Sequence, residues 1–202
     1  YQAEQSRTIF LGGELRFHWT LSDQTAVIHG RIDRIDRTAA GLDVVDYKLG
    51  QESPSINALL TEFIPPPDQE PDWRPGDIQL PVYALAIERG EVEGVTLEPG
   101  ERVSRVALVY PLALYSENGK LSVKGRREIE IIDHQPDCRA CEAPPPSRPK
   151  VGLICRSQLD ALEQRVHAAI EAMRAGDWRA DPREGSRTCA GCNFRPICSA
   201  PQ

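Results

Sequence analysis

Gly30-Arg31-Ile32-Asp33-Arg34-Ile35-Asp36 and, past the turn residues Thr38 to Gly41, Val44-Val45-Asp46-Tyr47-Lys48 decide how this chain folds. Side chains at i and i+2 of a strand share a face. Asp46 and Lys48 therefore project together, about 7 Å apart along the strand. Val44 and Val45 come before them, so the strand interior is expected to be buried and its end to carry charge. If Thr38 and Gly41 close a turn around Ala39 and Ala40, opposed residues have numbers totalling 79, and Asp33 faces Asp46. Directly opposed side chains lie about 4.5–5.5 Å apart, where like charges repel. A divalent cation offsets that repulsion, and Mg²⁺ typically takes one or two carboxylates plus substrate oxygens. A neighbouring lysine adds positive charge without filling the coordination sphere. A bulge at Gly41 would slip the pairing by one and reverse the faces. Taken singly, Asp-x-x-Asp beside a turn is ordinarily solvated surface, and Asp-x-Lys an exposed strand end. The two together on adjacent strands point to a cation site.

Outward from these strands, residues 8–21 read as a hairpin turning at Gly12-Gly13, because Leu15, Phe17, Trp19 and Leu21 alternate with polar residues. Ser22 to Thr25 reads as a turn, Ala26 to Asp36 as a strand and Leu42 to Lys48 as another, which makes the opening an antiparallel meander. Residues 50–77 carry Pro54, Pro65, Pro66, Pro67, Pro71 and Pro75 and read as a long loop. A helix is predicted from Ile78 to Arg89, with Pro81 in its first turn and Gly90 as its stop. Val103 to Tyr110 is apolar and β-prone, an inner strand. Asn118-Gly119 signals a hairpin, Glu128 to Asp133 alternates again, and 134–150 is proline-rich. Ser157 with Asp160 resembles a capping pair opening a helix to Ala175, with Leu159, Leu162, Val166, Ile170 and Met173 as its buried stripe. Residues 177–202 have no periodicity and need a tether other than burial.

Composition narrows the function classes. With 202 residues, 40% hydrophobic and 27% charged, the chain is expected to form one ordinary globular domain. Its longest mainly apolar run, Val106 to Tyr115, falls far short of the ~20 residues of a membrane helix. No basic-then-apolar leader opens it, so an intracellular, cytoplasmic location is expected, and the start at Tyr1 suggests a segment ahead of it. The net charge of −6 is concentrated in residues 51–101, which hold 11 acidic and 2 basic residues. Such a balance argues against an autonomous high-affinity nucleic-acid binder but not against an enzyme to which a partner delivers nucleic acid. Nucleotide-binding glycine loops and the serine-hydrolase elbow are absent. The four histidines are scattered. His29 shares a strand face with Asp33 and reads as structural. Lys120, Lys124, Arg126 and Arg127 read as a hairpin's solvated rim.

Gly30-x-x-Asp33, then Asp46-Tyr47-Lys48, then Gln79-x-x-x-Tyr83 resemble, in order and spacing, the motifs of the PD-(D/E)XK nuclease superfamily, and within it the RecB-like and AddB-like branch. The likeness covers about Leu15 to Tyr83 together with the C-terminal cysteines. It implies a restriction-endonuclease-like α/β core, a central mixed sheet flanked by helices with a cysteine-tethered tail over 177–202. It also implies metal-dependent phosphodiester hydrolysis. By the same resemblance, Asp33, Asp46 and the Tyr47 carbonyl would bind Mg²⁺ or Mn²⁺. Lys48 would orient or deprotonate the attacking water and offset charge on the phosphate. Gln79 and Tyr83, one helical turn apart, would face the site and the nucleic-acid strand. The family usually adds a Glu or His from a helix upstream of the first strand. That helix would precede Tyr1, and Glu14, the nearby acid, sits on a strand.

Six cysteines fall at 138, 141, 155, 189, 192 and 198. Cys189-x-x-Cys192-x5-Cys198 is compact enough to clasp one metal centre. The AddB-like resemblance implies a [4Fe–4S] cluster completed by an upstream cysteine, although none precedes Asp33 here. Zinc on Cys138, Cys141, Cys189 and Cys192 is the rival, with thiols or a disulfide as the remaining possibility. Cys155 reads as a buried apolar residue. The expectation is a DNA exonuclease of repair or recombination, working beside a helicase. The alternative is a degenerate nuclease fold used as a structural or DNA-binding module.

Overall fold

The computed structural model describes residues 8–21, 26–49, 55–60, 63, 78–113, 125–133, 138 and 151–176. The expected turn at 22–25, the hairpin at Asn118-Gly119, and Cys141, Cys189, Cys192 and Cys198 lie outside them. The chain divides into two compact units, residues 1–164 and 165–202.

The first unit is built on a seven-stranded mixed sheet in the order β4-β1-β2-β3-β5-β6-β7. Its strands are β1 (Ile9–Thr20), β2 (Val27–Thr38), β3 (Gly41–Tyr47), β4 (Glu91–Val92), β5 (Val103–Val109), β6 (Arg126–Ile132) and β7 (Gly152–Cys155). Helices α1 (Ile56–Leu60) and α2 (Gln79–Arg89) belong to this unit, and α3 (Arg156–Arg174) begins in it and continues into the second. β1, β2 and β3 form the expected antiparallel meander, and β3 pairs in parallel with β5. β3 is buried along nearly its whole length, and Val103, Val106 and Ala107 of β5 are almost fully enclosed. That fits two central strands covered on both faces. No helix among the described residues is long and apolar enough to cross a membrane.

Several elements differ from the sequence expectation. Gly12-Gly13 is not a turn. β1 runs straight through it, and the strand is irregular there instead, with a register shift between Phe10 and Gly12 and Glu14 at a φ of 55°. The proline-rich stretch holds the short helix α1, whose Ile56, Leu59 and Leu60 are buried. β4 and β7, of two and four residues, are too short to show a period. α3 starts at Arg156, one residue ahead of Ser157, and its first turn is tied by the Cys155 amide donating to Gln158 Oε1 at 2.7 Å. Asp160 pairs with Arg89 rather than capping the helix. In its stripe, Leu159, Leu162 and Val166 are buried, whereas Met173 is half-exposed.

α2 sets the position of the site. Leu80, Tyr83, Ala84 and Ile87 are buried, Pro81 falls in the first turn, and the Gly90 amide closes the helix on the Ala86 carbonyl at 2.9 Å. The Tyr83 ring meets Phe17 of β1 edge-on, with centroids 5.9 Å apart. At the other end of α2, Glu88 pairs with the buried Arg156, which also donates to the Val103 carbonyl at 3.1 Å. A methyl group on Gly90 would lie 2.5 Å from the His18 carbonyl oxygen. Gly90→Ala should therefore cost about 1–3 kcal/mol through overpacking. Urea unfolding checks this, and an unchanged midpoint would show that α2 does not dock this tightly on β1.

Candidate active site

β2 and β3 pair in the register whose numbers total 79, from Thr38↔Gly41 to Arg34↔Val45. One further step brings Asp33 alongside Asp46 at the end of the ladder. There the side chain replaces the main chain as partner: Asp33 Oδ2 accepts the Tyr47 amide at 2.8 Å. The neighbouring amide, Lys48, donates to the Val109 carbonyl of β5 at 2.9 Å. Alternate amides of β3 thus tie its end to β5 on one side and to Asp33 on the other.

The burial of β2 changes phase at this point. Ile32 and Ile35 are both fully buried though three residues apart, so strict alternation breaks between them. Across the ladder, Gly13 pairs with Arg34 and Leu15 with Ile32, which puts the positive-φ residue Glu14 opposite Asp33. A Cβ on Gly13 would sit 3.1 Å from the Asp33 carbonyl oxygen. Irregular strand geometry of this kind re-aims a side chain, and here the side chain is Asp33. Glu14 itself turns to Arg31 at 2.8 Å.

Asp46 is 2% exposed. Burying a carboxylate is costly unless a cation accompanies it, and Lys48 Nζ lies 2.8 Å from Asp46 Oδ2. Lys48 also donates to Gln79 Oε1. Gln79 Nε2 in turn donates to the Tyr83 hydroxyl at 2.6 Å. The acid, the amine, the amide and the phenol form one continuous chain from β3 to α2. Burial raises the Tyr83 pKa, and the Asp46 and Asp33 carboxylates push it up further. The two carboxylates thus add to burial in keeping the Tyr83 phenol protonated.

The structure brings Asp33, Asp46, Lys48, Gln79 and Tyr83 together. The Tyr47 amide faces Asp33, and its carbonyl lies on the same side, because a paired strand residue exchanges both its groups with one neighbour. Among the described residues no group of three or more His, Cys, Asp or Glu is arranged to hold a metal. Two carboxylates are nevertheless enough for Mg²⁺ when water and substrate oxygens complete the shell. Hard oxygen donors also suit Mg²⁺ or Mn²⁺ rather than softer metals. The residues present fit such an ion. Cys138 is buried in the lining of a cavity to which neither Asp33 nor Asp46 contributes, and Cys155 is buried as expected.

The family of nucleases proposed from the motifs matches residues 1–199 by comparison with family profiles. The chain belongs to the PD-(D/E)XK nuclease superfamily. The mixed sheet with flanking helices is the restriction-endonuclease-like α/β fold of that superfamily. Membership makes the chain a nuclease by family, with DNA as the class of substrate, and nucleases of this superfamily commonly use Mg²⁺ or Mn²⁺. No curated protein matches the chain.

Two residues bordering the site carry no motif. Arg34 follows Asp33 and bridges to Asp36 and the Tyr47 hydroxyl. Phe10 lies under its guanidinium. Reading Gly12-Gly13 as a turn places Phe10 on a separate strand. Reading the glycines as an irregularity within one strand would have set it beside Arg34.

The raised Tyr83 pKa gives a stability dependence on pH. The folded phenol holds its proton above the ordinary value near 10. Its contribution is therefore complete below that value and is lost as pH rises through the higher folded value. Urea unfolding between about pH 9 and 11 should give a steeper decline for the wild type than for Tyr83→Phe. Parallel declines would contradict a buried phenol flanked by two carboxylates.

Proposed function

We propose that the chain is a metal-dependent deoxyribonuclease of the RecB-like and AddB-like branch, acting as an exonuclease in DNA repair or recombination. The observation that carries this reading is the continuous contact chain from Asp46 through Lys48 and Gln79 to Tyr83, with Asp33 fixed beside it on the Tyr47 amide. In this reading Asp33, Asp46 and the Tyr47 carbonyl hold the ion. Bound there, a divalent cation supplies Lewis-acid polarisation of the phosphodiester and lowers the pKa of water.

The chain's own residues do the rest. With a cation held by Asp33 and Asp46, Lys48 would be released from its pairing with Asp46 and could turn to the water or the phosphate. As an ammonium it would then orient the attacking oxygen by donating to it and offset negative charge building on the phosphate oxygens, while the water's proton passes to solvent. Gln79 fixes the direction of the amine. Tyr83, kept protonated by its buried setting, holds Gln79 in turn and reaches toward the strand.

Three finer features belong to the same proposal. The acidic balance of the chain supports a helicase domain or subunit as the source of DNA affinity. The spacing of Cys189, Cys192 and Cys198 supports a [4Fe–4S] cluster as the tether of the tail. Zinc held by Cys138, Cys141, Cys189 and Cys192 remains the competing assignment, and iron and zinc analysis of the purified chain separates the two. The exonuclease assignment follows from the motif resemblance.

End-labelled linear DNA and closed circular DNA, each with and without Mg²⁺ or Mn²⁺, test the reading. Metal-dependent loss of the linear substrate is expected, with the circle spared. Asp46→Ala and Lys48→Ala should each lower the rate by about 10³-fold or more, since each removes an electrostatic contribution of several kcal/mol. Undiminished cleavage by the Asp46 variant would refute the assignment. Binding without cleavage by the wild type would mark a degenerate nuclease fold, and cutting of the circle would exclude a purely exonucleolytic enzyme.

A further inference from the structure

We propose that Phe10, Arg34 and Tyr47 form a stacking site for an unpaired nucleobase next to the phosphate held at Asp33, Asp46 and Lys48. This inference rests on the nuclease reading of that phosphate site.

The three side chains run diagonally across β1, β2 and β3. The Arg34 guanidinium carbon lies 5.2 Å from the centre of the Phe10 ring, within cation–π range. On its other side, Arg34 Nη1 lies 3.5 Å from the Tyr47 hydroxyl. Asp36 receives Arg34 Nε on both its oxygens, at 3.0 and 2.8 Å. The guanidinium plane is thereby held, and its charge is largely balanced. What the cluster offers a ligand is flat surface rather than net charge.

That surface is open to solvent. Phe10 is 60% exposed and Tyr47 42%, and the Arg34 side chain is 38% exposed. Two aromatic rings and a guanidinium exposed together on a sheet leave flat apolar surface in water. Rings of this kind stack bases in proteins that bind single strands, and arginine adds to that stacking.

Its position selects the ligand. Tyr47 lies between Asp46 and Lys48 in sequence, so its Cα is about 3.8 Å from each of theirs. Alternation along the strand sends its ring to the face opposite those two side chains. The same residue gives its amide to Asp33 at 2.8 Å. A strand whose phosphate meets the carboxylates at the end of β3 would have that end between its backbone and an adjacent base. Only an unpaired base can turn from its own strand to the far face, because a duplex keeps each base against its partner.

Fluorescence anisotropy with labelled oligonucleotides in Ca²⁺ in place of Mg²⁺ or Mn²⁺, which keeps a divalent cation between the carboxylates and the phosphate, tests the site on the 202-residue chain, with the oligonucleotide recovered at full length as the check that no cleavage intervened. Tyr47→Ala and Phe10→Ala should each weaken single-strand binding by about 5- to 150-fold, the range found for loss of one stacked base. Tyr47→Phe should bind like the wild type. The slope of affinity against salt should be unchanged in all of them, since a ring contact releases no counterion. An oligonucleotide with one abasic position, scanned along the strand, should lose affinity for the wild type at a single position and lose nothing further on Tyr47→Ala. The stacking site is overturned if Tyr47→Ala and Phe10→Ala bind within twofold of the wild type. It is also overturned if no abasic position distinguishes the wild type from Tyr47→Ala. A wild type that shows this binding pattern but never cleaves with Mg²⁺ or Mn²⁺ upholds the stacking site and contradicts the nuclease reading instead.

Discussion

A carboxylate that is 98% enclosed needs a cation, and in this chain the ion pair between Asp46 and Lys48 meets that need at the end of the central strand. The rest of the structure is organised around that pair. β3 is flanked by β2 and β5, and both its carboxylates are enclosed and ion-paired, Asp43 with Arg105 inside the strand and Asp46 with Lys48 at its end. Lys48 is set by a main-chain bond to β5 and by the side chain of Gln79. Gln79 is set by Tyr83, and Tyr83 by its packing on Phe17. The site is thus braced from the sheet and from the helix layer at once. Such support from rigid elements holds reacting groups in place better than loops can.

Asp33 is delivered in a different way. A regular β2 would leave it as one more alternating residue, opposed to a like charge. Instead Glu14 takes a left-handed backbone conformation on the opposing strand, alternation breaks between Ile32 and Ile35, and the Asp33 carboxylate turns to an amide of β3. A non-glycine residue at positive φ costs of order 1–3 kcal/mol, and such strain clusters at functional sites. The glycines at 12 and 13 are then understood as leaving space beside this kink, since a Cβ on Gly13 would press on the Asp33 carbonyl.

Much of this was legible in the sequence. The β2–β3 register followed from Thr38 and Gly41 alone, because a two-residue turn permits few pairings. α2 was bounded correctly to within a residue by Pro81 and Gly90. The features that were not legible have distinct physical causes. α1, β4 and β7 span two to five residues, less than the period by which an element is recognised. The irregularity in β1 was hidden because two adjacent glycines serve a turn and a strand kink equally well. Arg34 and Phe10 carry no motif, and their meeting depends on tertiary placement. Capping at α3 went to Gln158 because Arg89 draws Asp160 away, a competition between elements that no local pattern records.

The central claim is that two carboxylates from neighbouring strands share one cation beside an amine. Crystals of the chain grown with Mn²⁺ and measured at the manganese absorption edge test it most directly. The expected result is an anomalous peak bounded by the Asp33 and Asp46 carboxylates and the Tyr47 carbonyl, with Lys48 Nζ displaced from Asp46 Oδ2. Manganese bound elsewhere, with the Asp46–Lys48 pair intact at saturating metal, would contradict it.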